Sequence, residues 1–389
     1  LSERGPRGLP NLGVYIHWPY CARICPYCDF AVVRDRGRRE EQAALLDAIA
    51  ADLTAQAAMI GKRRLVSIFL GGGTPSLMEP EAAASLIALC RTLWPGGIER
   101  GEDVIEITLE ANPTDAETDR FAAFAAAGVN RLSLGVQALD DASLAFLGRN
   151  HGADEARRAA ALGGRLFLRL SLDLIYALPG QTQAAWSDTI SEAADFGAEH
   201  ISPYQLTIEA GTPFDRAVRR GRFTPADPDL AGDLYEATQD ALAALGFDAY
   251  EVSNHARGEA ARSRHNLIYW RGEDYLGVGP SAHGRMTLGG ERIATETARG
   301  VGDYIARVRE NGDGLAVREM LTPRARAEER LLMGLRTYEG VGRAELAGLS
   351  LARLPELVEA DLIVMEANRI RATPAGRLLL DSVTQMLAE

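Results

Sequence analysis

Four cysteines in 389 residues are too few for the disulfide framework that staples small secreted domains. No secretory leader is legible at the start, and free thiols suit a reducing compartment, so a cytoplasmic protein is expected. No apolar run approaches the roughly twenty residues needed to cross a bilayer, which excludes a transmembrane segment from the reading and leaves room only for peripheral membrane contact. Basic charge is short as well. Lys and Arg number 42 against 54 Asp and Glu, a net charge of -12. That excludes a general nucleic-acid binder, because such proteins gain affinity by neutralising phosphates. Repeats and low-complexity tracts are lacking.

The few cysteines are not scattered. Cys21, Cys25 and Cys28 fall within VYIHWPYCARICPYCDF, separated by three residues and then two, directly after an apolar segment that reads as a strand from Gly13 to His17. Thiolates this close on a loop can share one metal centre. A structural zinc site would close with a fourth ligand, for which His17 or Asp29 is available, although paired zinc knuckles are missing. The other reading is an iron-sulfur cluster, in which three thiolates hold three irons of a four-iron cluster and the fourth iron stays open to a chelating ligand. Cys90, on a helix, reads as a buried apolar residue.

Beyond the cysteines the chain alternates. Helical stretches at Gln42 to Ile60, Pro80 to Trp94, Asp115 to Ala127, Asp154 to Leu162 and Thr182 to Phe196 separate apolar strands. Those strands run Leu65 to Leu70, Val104 to Glu110, Arg131 to Val136, Leu166 to Tyr176 and Ile201 to Ile208. With the first strand these make six β/α units, and right-handed crossovers curl them into an open, partial barrel of the α/β class. Four regions are expected: a loose segment 1–12, the barrel at 13–225, a connecting region at 226–300, and a helical α+β domain at 301–389. Gly289-Gly290 suits a hairpin turn, and the late hairpin at Ile363 to Ala372 among short helices suits a winged helix.

In a parallel barrel the C-terminal strand ends converge on one face, where chemistry is assembled. Here they carry Tyr15 and His17, then GGGTP at Gly71 to Pro75, Glu110 with Asn112, Gln137, Asp173, and Tyr204 with Gln205. The glycines of GGGTP let backbone approach a ligand closely, and Pro75 fixes the exit. Farther on, SRHNLIYWRGEDYLGVGPSAHG places His265 and His283 close together, with His255 just upstream. A neutral imidazole suits a haem iron, and Tyr269 and Trp270 could supply flat contact to a porphyrin. The competing reading has His265 and Asn266 bonded locally, with the aromatics packed on the barrel.

CxxxCxxC after YIHxP, with Tyr27 before the last cysteine, resembles the cluster motif of radical S-adenosylmethionine (SAM) enzymes. The surrounding residues resemble the oxygen-independent coproporphyrinogen oxidase branch, which includes HemW-type haem chaperones. The resemblance implies a radical-SAM partial barrel, a 4Fe-4S cluster on Cys21, Cys25 and Cys28, and SAM held by Tyr15, Gly72, Gly73, Thr74, Glu110, Gln137, Arg149 and Asp173. The spelling HNxxYW, at His265, Asn266, Tyr269 and Trp270, resembles a motif associated with haem, making His265 a haem-ligand candidate. As partners, the same resemblance implies haem, haem-accepting proteins and an electron donor for the cluster. True oxidases carry a further cysteine two residues after the third, whereas Phe30 stands here. That difference resembles the chaperone branch and counts against coproporphyrinogen decarboxylation.

Overall fold

The computed structural model describes residues 8–95 and 104–389. Most of the expected loose segment 1–12 lies outside the described residues. Six parallel strands form in chain order: β1 Asn11–Trp18, β2 Arg64–Gly72, β3 Glu106–Ala111, β4 Arg131–Gln137, β5 Arg169–Tyr176 and β6 His200–Gln205. Alternation sorts their side chains. Leu12, Val14, Ile16 and Trp18 of β1 are buried on the outer face, while Gly13, Tyr15 and His17 point into the barrel. The outer face is covered by α1 Arg39–Ile60, α2 Pro80–Leu93, α3 Ala153–Leu166 and α4 Gln183–Asp195. Leu45, Ile49 and Leu53 of α1 share one core with Ile68, Ile107, Leu132, Leu172 and Ile201 of the strands. Helix α1 is long and apolar enough by composition to cross a membrane, a feature the sequence reading passed over, but its apolar face is committed to this core.

The sheet does not stop at six strands. Past β6 come α5 Pro228–Ala244 and the short strands β7 Asp248–Glu251 and β8 Asn254–Ala256, with β8 antiparallel to β6. On the other side β9 Asp274–Val278 runs parallel to β1. Antiparallel strands β10 His283–Leu288, β11 Glu291–Thr297 and β12 Leu315–Met320 then continue outward, giving twelve strands in the order β12-β11-β10-β9-β1-β2-β3-β4-β5-β6-β8-β7. The hairpin at Gly289-Gly290 forms as expected, with both glycines at positive φ. Strand β12 was read as helical territory. It is a free edge with Ala316 to Met320 all exposed, so it lacks the apolar alternation by which strands are recognised. Likewise the helix expected over Asp115 to Ala127 is two short pieces, Asp115–Thr118 and Phe121–Ala126.

Between β8 and β9 the helix α6 Arg264–Arg271, capped by Ser263, closes the N-terminal end of the barrel. His265 donates its backbone N–H to Glu106 at 3.0 Å, Arg264 reaches the Val104 carbonyl at 2.6 Å, and Arg131 reaches the Ala261 carbonyl at 3.2 Å. After α7 Val301–Asn311, the C-terminal part has its own small core of Leu331, Leu335, Val341, Leu357, Ile370 and Val383 under a three-stranded sheet. Its first helix, α8 Pro323–Arg336, is tied to the barrel side by Arg285 to Glu329 at 2.6 Å and by Arg336 to the fully buried Glu251 at 2.5 Å.

Candidate functional site

At the C-terminal end of the barrel a cavity of about 400 Å³ opens beside the cysteine loop. Its wall takes a residue or two from nearly every strand end, as parallel topology requires. Cys21, Cys25, Cys28, Gly72, Gly73, Thr74, Glu110, Gln137, Arg149 and Asp173 all line it. Two candidates do not. Tyr15 sits beside the cavity wall with its hydroxyl 2.9 Å from His17 Nδ1, and His265 lies at the opposite end of the barrel.

The cysteine loop is framed by a short parallel pairing of Tyr20–Cys21 with Val33–Arg34, and Cys28 donates its N–H to the Cys25 carbonyl at 3.2 Å. Underneath, Gly73 and Thr74 donate their backbone N–H groups to the carbonyls of Trp18 and Tyr20, both at 2.8 Å. Gly72 stands at φ 111, where a Cβ would lie 2.6 Å from the His17 ring, so the turn admits only glycine. Its free N–H is taken by Glu110 Oε2 at 3.1 Å.

Arg149 is the hub. It donates to Cys25 Sγ at 3.2 Å, Tyr27 Oη at 3.4 Å, the Gly135 carbonyl at 3.0 Å and Asn112 Oδ1. None of these contacts is a salt bridge to Glu110. Glu110 therefore sits without a cation near the buried Asp173, and burial, with the Asp173 charge adding to it, pushes its pKa up to about 8. Burial also pushes Asp173 up to about 6, against hydrogen bonds from Ser133 and Ser202. Two neighbouring carboxyls with raised pKa values, of which Glu110 has no cation beside it while Arg131 and Arg149 only partly offset the shift of Asp173, form a natural seat for a cationic ligand. Burial likewise raises the Cys21 thiol to about 11, with a hydrogen bond to Thr74 opposing it, and raises Cys28.

Sequence reasoning missed Ser133 and Gly135, which lie inside β4 rather than at its end. Ser133 donates to Asp173 at 3.1 Å, and the missing Cβ of Gly135 leaves space for Gln137 and Arg149. Their only signal was position, on the inward alternation of a strand already assigned. Asn112, noted only as a strand end, links Arg149 to Thr74 Oγ1, the latter at 3.1 Å.

His265 is fully engaged. Ser67 Oγ lies 2.8 Å from Nδ1, Tyr269 Oη lies 2.6 Å from Nε2, and the ring stacks on Phe69 with centroids 4.9 Å apart. Burial holds it neutral, with its pKa down at about 3. His265→Ala should therefore destabilise the fold by about 2–4 kcal/mol, by leaving Ser67 and Tyr269 unpaired and opening a cavity behind Phe69. Urea unfolding of the variant measures this.

Comparison with known proteins gives the family. The Radical SAM superfamily matches residues 15–193, and the HemN C-terminal domain matches residues 321–379. Along nearly the whole chain, 37% identity over 393 residues relates it to the mitochondrial Radical S-adenosyl methionine domain-containing protein 1 of Bos taurus, covering 97% of this chain and 87% of that protein. The chain belongs to the radical SAM superfamily. It is also 35% identical over 390 residues to Heme chaperone HemW of Haemophilus influenzae, covering 97% of this chain and 98% of that protein. Among solved structures, the radical SAM enzyme coproporphyrinogen III oxidase (HemN) of Escherichia coli shares the fold, with a TM-score of 0.79 at 21% identity, covering 99% of this chain and 91% of that one.

Membership in the radical SAM superfamily implies a four-iron cluster and SAM, and the site fits both. Three thiols face one cavity, and among the described residues no three His, Cys, Asp or Glu side chains are gathered as ligands of a single metal ion. A cluster spreads its thiolates over three irons, so it does not need them so close. Gln137 Oε1 and Arg149 Nε are buried at the cavity without hydrogen-bond partners, although nearly all such atoms in proteins have one. Gln137 is moreover held at φ 67, a strained conformation for a non-glycine residue of the kind that collects at functional sites.

Proposed function

We propose that this chain is a radical-SAM-fold haem chaperone, which binds haem and passes it to acceptor proteins. The observation that carries this is the 35% identity, over 97% of the chain, to a protein named as a heme chaperone. Two sequence features support it. Phe30, 64% exposed at the cavity mouth, stands where the oxidase pattern has another cysteine, and HNxxYW is present at His265 to Trp270.

In this reading Cys21, Cys25 and Cys28 hold the cluster. Gly72, Gly73 and Thr74 offer close backbone approach to the amino-acid portion of SAM, Glu110 and Asp173 hold its positive charge and hydroxyls, and Gln137 and Arg149 supply donors. Tyr15 keeps His17 and the GGGTP turn in register. When bound, cluster and SAM together supply reductive cleavage of the sulfonium, which requires an electron donor as a partner. Arg149, bonded to Cys25 and Asn112, fixes the cluster loop against the SAM cavity, so that one guanidinium serves both ligands.

The second reading, oxidative decarboxylation of coproporphyrinogen, is favoured by the completeness of that cavity. The two are separated by incubating anaerobically reconstituted protein with reductant, SAM and coproporphyrinogen III, assaying protoporphyrinogen, and titrating haem in parallel. Haem binding and haem transfer to an apo-haemoprotein without decarboxylation is expected. Catalytic formation of protoporphyrinogen by protein that ignores haem would overturn the chaperone reading.

A further inference from the structure

The protein is acidic overall, yet its charge is not spread evenly. The segments 21–41 and 207–223, which meet at the cysteine site, carry nine arginines against six carboxylates, a local surplus of positive charge on a chain of net charge -12. Pairing of Tyr20–Cys21 with Val33–Arg34, and an Asp35 N–H donated to the Cys21 carbonyl at 2.8 Å, hold the first segment against the cysteine loop. On the other side Phe214 donates its N–H to the Pro26 carbonyl at 3.0 Å. Phe223 packs on Phe214 with ring centroids 5.1 Å apart, so Arg220 and Arg222 lie on the turn between these two rings, beside the same loop.

Most of these cations have no counter-ion. Arg38 pairs with Glu41 and Arg219 with Asp215. Among the described residues Arg23, Arg34, Arg36, Arg39, Arg220 and Arg222 are exposed and form no ion pair with a carboxylate. Nearby carboxylates are held locally instead, Asp35 by the Gly37 N–H and Gln42, and Glu41 by the Tyr20 hydroxyl. Large apolar side chains stand in the open among the arginines: Ile24 is 43%, Phe30 64% and Val33 41% exposed. Ile24 adjoins Cys25, and Phe30 lies two residues beyond Cys28. Exposed apolar groups gathered inside a charged rim are the anatomy of a docking site rather than of ordinary surface.

Position and charge together select the occupant. The cysteine loop forms part of the cavity wall, so a partner seated on Ile24, Phe30 and Val33 stands directly against the thiols that hold the cluster. The free arginines attract an acidic partner at this face, while the carboxylate excess over the rest of the chain repels it, so one charge map both steers and orients the encounter. An anionic membrane would satisfy the arginines but delivers no electron.

We infer that the cysteine loop and the turn at 219–223 form the docking surface for an acidic one-electron carrier protein. One electron passes from the carrier's reduced flavin or iron-sulfur centre to the cluster, leaving the carrier oxidised by one electron, and no bond is made or broken. This rests on the radical-SAM reading of the site and names the side from which its electron arrives.

The test is stopped-flow reduction of the cluster in the full, anaerobically reconstituted chain. A reduced flavodoxin, which is acidic, is compared with reduced methyl viologen, a small cation that needs no docking face. The flavodoxin rate is expected to fall about tenfold or more between low salt and about 0.5 M salt, as steering is screened. Arg220→Glu combined with Arg222→Glu, both outside the cysteine loop, should keep the wild-type iron content, slow flavodoxin about tenfold or more at low salt, and leave methyl viologen nearly unaffected. Arg36→Glu, on the opposite side of the loop, should give the same pattern and serves if the double variant is unstable. A flavodoxin rate indifferent to salt, or variants that slow both reductants equally, would overturn the assignment. So would variants that release the chain from phosphatidylglycerol vesicles at an unchanged flavodoxin rate, which would make the face a lipid site. A wild-type chain that holds no four-iron cluster would overturn the radical-SAM site along with its docking face.

Discussion

Replacing Cys25 with serine is expected to abolish retention of the four-iron cluster while leaving the fold almost as stable as before. A hydroxyl does not replace a thiolate on iron, and with two sulfur ligands remaining the cluster has no third anchor. Arg149 now donates to Cys25 Sγ, so the same substitution strips the guanidinium of its one sulfur partner. The fold should tolerate this, because Cys25 and Cys28 are only half-buried on a loop outside the main hydrophobic core. Iron content after anaerobic reconstitution should fall to background, and thermal unfolding of the apo-protein should differ from wild type by about 1 kcal/mol or less. A large loss of stability on removing metal from the wild type would instead indicate a structural zinc staple, whose binding energy is folding energy.

Why the sequence revealed the site more fully than it revealed the sheet is a matter of which signals are local. The cysteine spacing, GGGTP and the polar residues after each strand are contiguous patterns, and parallel topology alone then brings them to one face; the cavity wall from Cys21 to Asp173 follows. Edge pairing is not local. Strand β12, with Arg318 and Glu319 and no buried alternation, exists because β11 offers it a partner. Ser133 and Gly135 act through neighbours on other strands, so their residue types carry no signal until the register is known. His265 shows what a local motif leaves out. Its motif spelling suggests a ligand, while three-dimensional packing occupies both ring nitrogens, and HNxxYW by itself cannot convey that Ser67 and Phe69 stand opposite.

Glu110→Gln should make the apo-protein more stable than wild type at high pH and yet weaken its hold on SAM, two effects of opposite sign from one carboxyl. In the fold, burial and Asp173 raise the Glu110 pKa to about 8 from an ordinary 4.5. A raised folded pKa means that the carboxyl's contribution is fully present below about pH 4.5 and is lost as pH rises through about 8, because ionisation in the recess is unfavourable. Asp173, raised to about 6, loses its share lower in the same range. Glutamine keeps the acceptor for the Gly72 N–H, now 3.1 Å from Oε2, and removes the ionisation. The variant should therefore match wild type near pH 5 and exceed it by roughly 3 kcal/mol at pH 9, read from urea midpoints across the range. Binding of the cationic SAM runs the other way, since the ligand draws the proton off Glu110 and is held by the resulting carboxylate. Wild-type affinity should rise as pH climbs toward 8, and the variant should bind at least tenfold more weakly and lose that pH dependence, measured by calorimetry on the reconstituted protein. Equal affinity and equal pH dependence in the two proteins would remove Glu110 from the SAM site and leave Asp173 as the carboxyl that meets the ligand's charge.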